Sequence, residues 1–310
     1  HLAINFSDSK NFVDILSIAH SYCNNFILNN LKNGFADICS PAGGKFMEEA
    51  KVKYLVFDIE SVPDTDLIKS VKFPGENISG DEAVEKFQEE ILKITGGTSN
   101  FIPATFQIPV SLVVAKVDEN FRLMEIVSMD EPNYRTEEIT RRFWYGIESL
   151  YKDATIVTFN GRGFDVPLME FCAYKIGISA KRHFSDKGGT RYRNGARHID
   201  MQEYMSNNHA VKLAGGLNVL AKMIGCPGKM DTKGSEVHEL YKAGKIEDIN
   251  DYCICDVLDT YFIFVRSRVL CGDITSIREG ELRAHAREYM EKLFDKRPVF
   301  KKYLDAVKWS

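Results

Sequence analysis

The stretch Tyr54-Leu55-Val56-Phe57-Asp58-Ile59-Glu60-Ser61 constrains the fold more than any other part of the chain. Its run of apolar, β-forming residues predicts a buried strand. Side chains on a strand alternate faces, so Asp58 and Glu60 point to the same side, about 7 Å apart along the backbone. Two carboxylates placed there repel and desolvate each other, and a divalent cation between them removes that objection. Acids are also common where a strand runs out into a loop. The pair alone leaves both readings open, and the decision rests on whether further carboxylates arrive downstream in a suitable setting.

Upstream of this strand, residues 1–46 read as an appended segment. Val13, Leu16, Ile18, Phe26, Ile27 and Leu31 recur at rough helical spacing, Ser40-Pro41-Ala42-Gly43-Gly44 reads as a linker, and Met47 stands as a natural start for the domain beyond it. Downstream, Val62-Pro63-Asp64 breaks the strand and residues 64–100 form a polar connection with a helix over 81–94. Two strands are expected over 108–117 and 121–129, consecutive and antiparallel around Asp118-Glu119-Asn120. An amphipathic helix over 136–152 comes next, with Ile139, Phe143, Ile147 and Leu150 inward and Thr136 as its cap.

The next informative stretch is a β-branched strand, Thr155-Ile156-Val157-Thr158, that runs into Phe159-Asn160-Gly161-Arg162-Gly163-Phe164-Asp165-Val166-Pro167. A strand, a glycine turn and then an acid is how a sheet presents a side chain to a site at its carboxyl end. Asp165 also suits a helix N-cap, and Asn160 suits a turn. Residues 181–197 concentrate Lys181, Arg182, Lys187, Arg191, Arg193 and Arg197 among His183, Phe184 and Tyr192. Such a loop can track a phosphate backbone or simply be a solvated loop. His198 and Asp200 have metal-like spacing, although Asp200 equally suits the cap of the next helix.

An apolar helix over 213–224 leads to Gly225-Cys226-Pro227-Gly228-Lys229, a turn whose lysine can meet a phosphate but which lacks the context of a nucleotide P-loop. A short helix over 236–243 succeeds it. A long helix over 249–270 carries Tyr252, Asp256 and Asp259. Tyr252 and Asp256 are four apart and share a face, with Asp259 one turn further on. The helix is apolar over most of its circumference, so its acids are expected to face something positive.

Taken together, the three stretches resemble the DEDD superfamily of 3′–5′ exonucleases, in its tyrosine-containing (DEDDy) branch. Asp58-Ile59-Glu60 looks like the first motif, the Phe159–Pro167 stretch like the second, and Tyr252-x-x-x-Asp256 like the third, in the expected order. The match is similar above all to the predicted exonucleases related to the proofreading domain of family B DNA polymerases. It covers residues 50–270 and leaves the tail after Asp273 outside. Gln107 stands where a histidine is expected. The resemblance implies an α/β, RNase H-like fold with a mixed sheet flanked by helices, in an exonuclease domain over 47–273 with a C-terminal helical extension over 274–310. It also implies two-metal hydrolysis of phosphodiesters at single-stranded 3′ ends of DNA or RNA, DNA being favoured. In that reading Asp58, Glu60, Asp165 and Asp256 hold two Mg²⁺ or Mn²⁺ ions, hard cations suited to oxygen ligands. Tyr252 orients the attacking water. Ser61, Val62, Asn160, Phe164, Arg191 and Arg193 contact the nucleic acid. A different RNase H-like endonuclease and a non-catalytic nucleic-acid-binding module are the rival classes.

Charge does not oppose this expectation. The formal net charge is −4, equal to the four proposed ligands, so two divalent ions would cancel it. Seven cysteines without a CxxC pair fit free thiols in a reducing compartment, and no run of about 18 apolar residues predicts a membrane span. The expected location is therefore cytoplasmic.

Overall fold

A computed structural model describes residues 51–185, 188–192, 197–230 and 236–309. The appended segment 1–46 lies outside the described residues. Five strands form one mixed sheet, β1 (Val52–Pro63), β2 (Gln107–Asp118), β3 (Leu123–Ser128), β4 (Thr155–Thr158) and β5 (His198–Asp200). Their spatial order is β3-β2-β1-β4-β5. β1 pairs antiparallel with β2 and parallel with β4, β2 pairs antiparallel with β3, and β4 pairs parallel with β5. The strand with the paired acids thus occupies the centre of the sheet, where a nearly continuous apolar run belongs. This is the RNase H-like arrangement that the resemblance implied.

Ten helices are described. They are α1 (Thr65–Lys72), α2 (Gly80–Ile94), α3 (Thr136–Tyr145), α4 (Asp165–Ile176), α5 (Met201–Met205), α6 (Gly216–Met223), α7 (Val237–Lys242), α8 (Ile246–Leu270), α9 (Ser276–Glu291) and α10 (Pro298–Ala306). The period-two pattern of β1 divides them between two layers. Leu55, Phe57 and Ile59 face one way and pack with Phe143 and Trp144 of α3 and Leu168 and Met169 of α4. Val56 faces the other way and packs with α8, α9 and α10. Asp58 and Glu60 share the parity of Val56, which turns them toward α8. The register of β1 against β2 shifts between Glu60 and Ser61. A bulge of this kind re-aims the side chains beside it.

Several expectations are corrected. The connection over 64–100 is not one polar link with one helix. Asp64 caps an additional helix, α1, by accepting from the Leu67 amide, and Ile68, Phe73, Val84 and Phe87 close a small core of their own. The helix over 136–152 stops at Tyr145 and continues over Gly146–Leu150 as a wider π-turn. That widening rotates Leu150 out of the inner face, leaving it 42% exposed. Thr136 does not cap α3, because its hydroxyl donates to the Pro109 carbonyl of β2 instead. The helix expected from 213 begins at Gly216.

Candidate active site

Three elements bring acids to one end of the sheet. β1 contributes Asp58 and Glu60, and the first residue of α4 contributes Asp165. Asp256 comes from the middle of α8 and is 9% exposed, while Glu60 and Asp165 are 8% and 4% exposed. Asp165 is not the N-cap of α4; Phe164 holds that position. The pairing of β4 with β1 ends at Val56–Val157, which leaves the backbone of β1 beyond that point without β4 as a partner. The Asp165 carboxylate fills the gap by accepting from the Ile59 amide as well as its own. This hydrogen bond ties the second motif directly to the first.

The turn before Asp165 is fixed from below. Asn160 adopts a left-handed φ of 63°, and Asp200 of β5 accepts from the amides of Asn160 and Arg162 at 2.9 and 3.0 Å. A Cβ at Gly161 would lie 2.5 Å from the Thr158 side chain, so only glycine fits this turn. Asp200 also caps α5 through the Gln202 and Glu203 amides. It is therefore a brace for the Asn160–Arg162 turn and a helix cap. His198, its partner in the metal-like spacing, is buried against the Thr158 hydroxyl at 2.8 Å, and burial pushes its imidazole down to about 3.

Burial raises all four acids, and at Asp58 and Glu60 the other carboxylates add to it. Burial first, and then Asp165, Glu60 and Asp256, hold Asp58 well above the usual carboxylate range. Burial and then Asp256 and Asp165 do the same to Glu60. Burial pushes Asp165 up to about 7, against the two amide bonds. Asp256 is pushed up to about 6 by burial, opposed by a hydrogen bond from Tyr252 and by the charge of Lys229. The Tyr252 phenol is itself raised above its ordinary value, first by burial and then by Asp256, Glu60 and Asp58. It stays protonated and donates to Asp256 across one turn of α8.

Two residues beside this cluster were not assigned to it from sequence. Cys253 adjoins Tyr252 and places its thiol 3.3 Å from the Asp58 carbonyl. Asp58, Glu60 and Cys253 offer ligand atoms that all lie within 4.8 Å of one another. Burial raises the thiol well above its ordinary value, so it remains a neutral donor and leaves the hard oxygens as the ligand set. Lys229 lies near enough to lower both Glu60 and Asp256. Its backbone is held by the Asn218 side chain, which accepts from the Lys229 amide at 2.9 Å. The glycine turn at Gly228 had pointed to a phosphate-meeting lysine, and only tertiary packing shows which acids it faces.

The remaining expected contacts fall in different places. The Ser61 hydroxyl donates to Gln107 at 2.6 Å, and Gln107 reaches on to the Ile102 carbonyl, so the glutamine in the histidine position braces the end of β1. Val62 is 1% exposed and packs with Val110, Val237 and Ile249, beside Tyr252. Its side chain supports the tyrosine from the core. Phe164 is half-buried and meets the exposed ring of Phe101 at a centroid distance of 5.4 Å. Arg191 is ion-paired with Glu170 of α4 at 3.0 Å and lies against Phe184 and Tyr192. The described part of the 181–197 segment is accordingly tied down, since the Arg182 and His183 amides also donate to Glu148. Arg193 lies outside the described residues. Asp259 is separated from the cluster: fully buried, it accepts from the Tyr303 hydroxyl of α10 at 2.7 Å.

A central mixed sheet with flanking helices defines an RNase H-like domain, and Asp58, Glu60, Asp165 and Asp256 come from three of its elements. The chain belongs to the family of predicted 3′–5′ exonucleases related to the exonuclease domain of PolB, whose family model matches residues 99–307. The match begins downstream of Asp58 and Glu60 and runs through both C-terminal helices, which the motif-based resemblance had left outside. No curated protein matches the chain significantly. Among solved structures it is similar to the family B DNA polymerase of the archaeon Pyrobaculum calidifontis, with 15% identity and a TM-score of 0.45, covering 74% of this chain and 26% of that one. It is also similar to E. coli exonuclease I in complex with a dT13 oligonucleotide, with 15% identity and a TM-score of 0.34, covering 71% and 42%. The chain thus spans about a quarter of the polymerase and under half of the exonuclease. Among the described residues no helix is long and apolar enough to cross a membrane.

Proposed function

We propose that this protein is a metal-dependent 3′–5′ exonuclease of the tyrosine branch, acting on single-stranded DNA ends. The observation that carries the reading is the convergence of Asp58, Glu60, Asp165 and Asp256 from three separate elements, with Tyr252 donating to Asp256. Four carboxylates whose pKa values are all raised, first by burial, favour a cation among them, and hard oxygen donors fit Mg²⁺ or Mn²⁺ better than softer metals. Two such ions supply charge neutralisation on the attacking and leaving oxygens of a phosphodiester. Asp58 is raised by all three other acids, which suits a shared ligand, with Glu60 and Asp256 completing one position and Asp165 holding the other. Tyr252, protonated and anchored on Asp256, orients the attacking water and does not deprotonate it. Lys229 adds a positive charge beside Glu60 and Asp256 for the scissile phosphate. Phe164 and Phe101 offer ring faces on which a terminal base can stack. DNA is favoured as substrate because the family is described by its relation to a DNA polymerase domain. Retention of all four acids argues against a purely binding module.

The test is digestion of 5′-labelled single-stranded DNA and RNA with Mg²⁺ or Mn²⁺. A ladder that shortens one nucleotide at a time from the 3′ end, and vanishes with EDTA, is expected. Internal cutting of a circular single strand would move the assignment to the endonuclease class, and a metal-independent ladder would remove the carboxylates from the chemistry.

A further inference from the structure

A second cavity, of about 490 Å³, lies apart from the carboxylate cluster and has the opposite charge. Four cationic side chains from four different elements line it: Lys222 of α6, Arg266 of α8, Arg283 of α9 and Lys308 of the tail after α10. Among the described residues no carboxylate is part of its lining. Behind it Glu279, 4% exposed, accepts from the Arg266 Nε and from an Arg283 terminal nitrogen, each at 2.8 Å. This buried carboxylate orients two guanidinium groups and is outnumbered by the four cations of the lining. The guanidinium of Arg283 also lies 5.2 Å from the centre of the Trp309 ring, which fixes its plane further.

The cavity is built by the tail, not left over at a surface. Lys308 donates its amide to the Gly225 carbonyl at 2.8 Å. Gly225 adopts a φ of 78°, and a Cβ there would lie 2.5 Å from the Lys308 carbonyl oxygen, so the close approach of the two segments requires glycine. Lys222 Nζ donates to the Pro227 carbonyl across the same turn at 2.8 Å. This turn joins the two regions of the molecule: Pro227 lines the basic cavity, whereas Lys229, two residues on, lies near enough to lower Glu60 and Asp256.

We infer that this cavity is a second binding site, for a phosphate-bearing ligand of about nucleotide size. Oriented arginines recognise phosphate oxygens through paired N–H donors, and lysines at the rim add charge without fixed geometry. The volume lies within the range typical of small-ligand sites, about 300–1,000 Å³. In a chain of net charge −4, so local a basic excess is a feature of the site and not of the molecule. The phosphate can come from a free nucleotide or from the backbone of a strand whose 3′ end occupies the carboxylate cluster. The inference stands on the cavity alone and does not require the nuclease reading.

Titration calorimetry of the full chain in EDTA tests it, with inorganic pyrophosphate and a thymidine oligonucleotide as separate probes. Lys222 and Lys308 are exposed, so a Lys222→Ala/Lys308→Ala variant is expected to fold with an unchanged melting temperature. It should bind at least one probe about 10-fold more weakly, with a salt slope for the oligonucleotide flatter by about 0.7 for each phosphate no longer neutralised. Lys308→Glu alone should act in the same direction. Loss of pyrophosphate binding identifies a free-phosphate site, and loss confined to the oligonucleotide identifies the strand backbone. An Asp256→Asn variant should retain this binding. Wild-type affinity for both probes in the lysine variants, or loss in Asp256→Asn alone, overturns the inference.

Discussion

Tyr252 and Asp259 lie on the same helix, and their partners assign them opposite roles. Tyr252 is half-buried at the carboxylate cluster and donates to Asp256. Asp259 faces Tyr303 in the interface of α8 with α10. Burial pushes its carboxyl up to about 7, so it holds its proton more readily than an exposed acid. Replacing Tyr252 by Phe keeps the ring that packs beside Val62 and removes only the hydroxyl. Turnover is expected to fall about 10²-fold or more, the scale of losing one positioned catalytic group, with melting temperature and metal affinity retained. Asp259→Asn should change turnover by less than about 3-fold, because it touches no ligand of the cluster. Single-turnover kinetics on the two variants decides the matter: a crippled Asp259→Asn with a silent Tyr252→Phe would mean that the other face of α8 carries the chemistry.

At the scale of elements, the C-terminal helices belong to the domain core. Val299, Phe300, Tyr303 and Leu304 of α10 are all buried against α8 and α9, with Phe300 and Tyr303 fully so. α8 is buried around most of its circumference because the sheet covers one side and these helices the other. Phe300→Ala is therefore expected to destabilise the protein by about 3–5 kcal/mol, the usual cost of emptying a buried phenylalanine site. Chemical denaturation measures this directly. A loss under about 1 kcal/mol would make α9 and α10 an appendage, as their position outside the three motifs had implied.

For the whole molecule, the carboxylate cluster links stability, pH and metal. In the folded, metal-free protein Asp165 and Asp256 keep their protons up to about 7 and about 6, whereas in the unfolded chain aspartate releases its proton near pH 3.9. Between pH about 4 and 7 the folded state thus binds more protons than the unfolded one. This contribution to stability is therefore full below the unfolded pKa and is lost as pH rises through the folded values. Divalent cations relieve that cost only where the carboxylates are ionised. Mn²⁺ should raise the melting temperature by at least about 3 °C more at pH 8 than at pH 5.5, and Asp58→Asn should abolish most of the difference. Equal shifts at both pH values would sever the carboxylates from the metal. The variant should also melt higher than the wild type in EDTA at pH 8, since it removes one repelling charge.

What the sequence determined on its own was local. The alternation of β1 put Asp58 and Glu60 on one face, and the four-residue spacing on α8 put Tyr252 over Asp256. Both arise from the repeat of a single element and need no knowledge of its neighbours. The choice of Asp256 over Asp259 came from motif register, whereas the contact of Asp259 with Tyr303 of α10 is visible only in the fold. Tertiary structure alone decided everything that depends on contacts between distant segments. It set Asp165 on the Ile59 amide, Asp200 under the Asn160 turn, Lys229 beside Glu60 and Cys253 against Asp58. It buried Val62 and paired Arg191 with Glu170. No periodicity encodes such pairs, because each is fixed by where two elements meet in the packed core and not by the repeat of either.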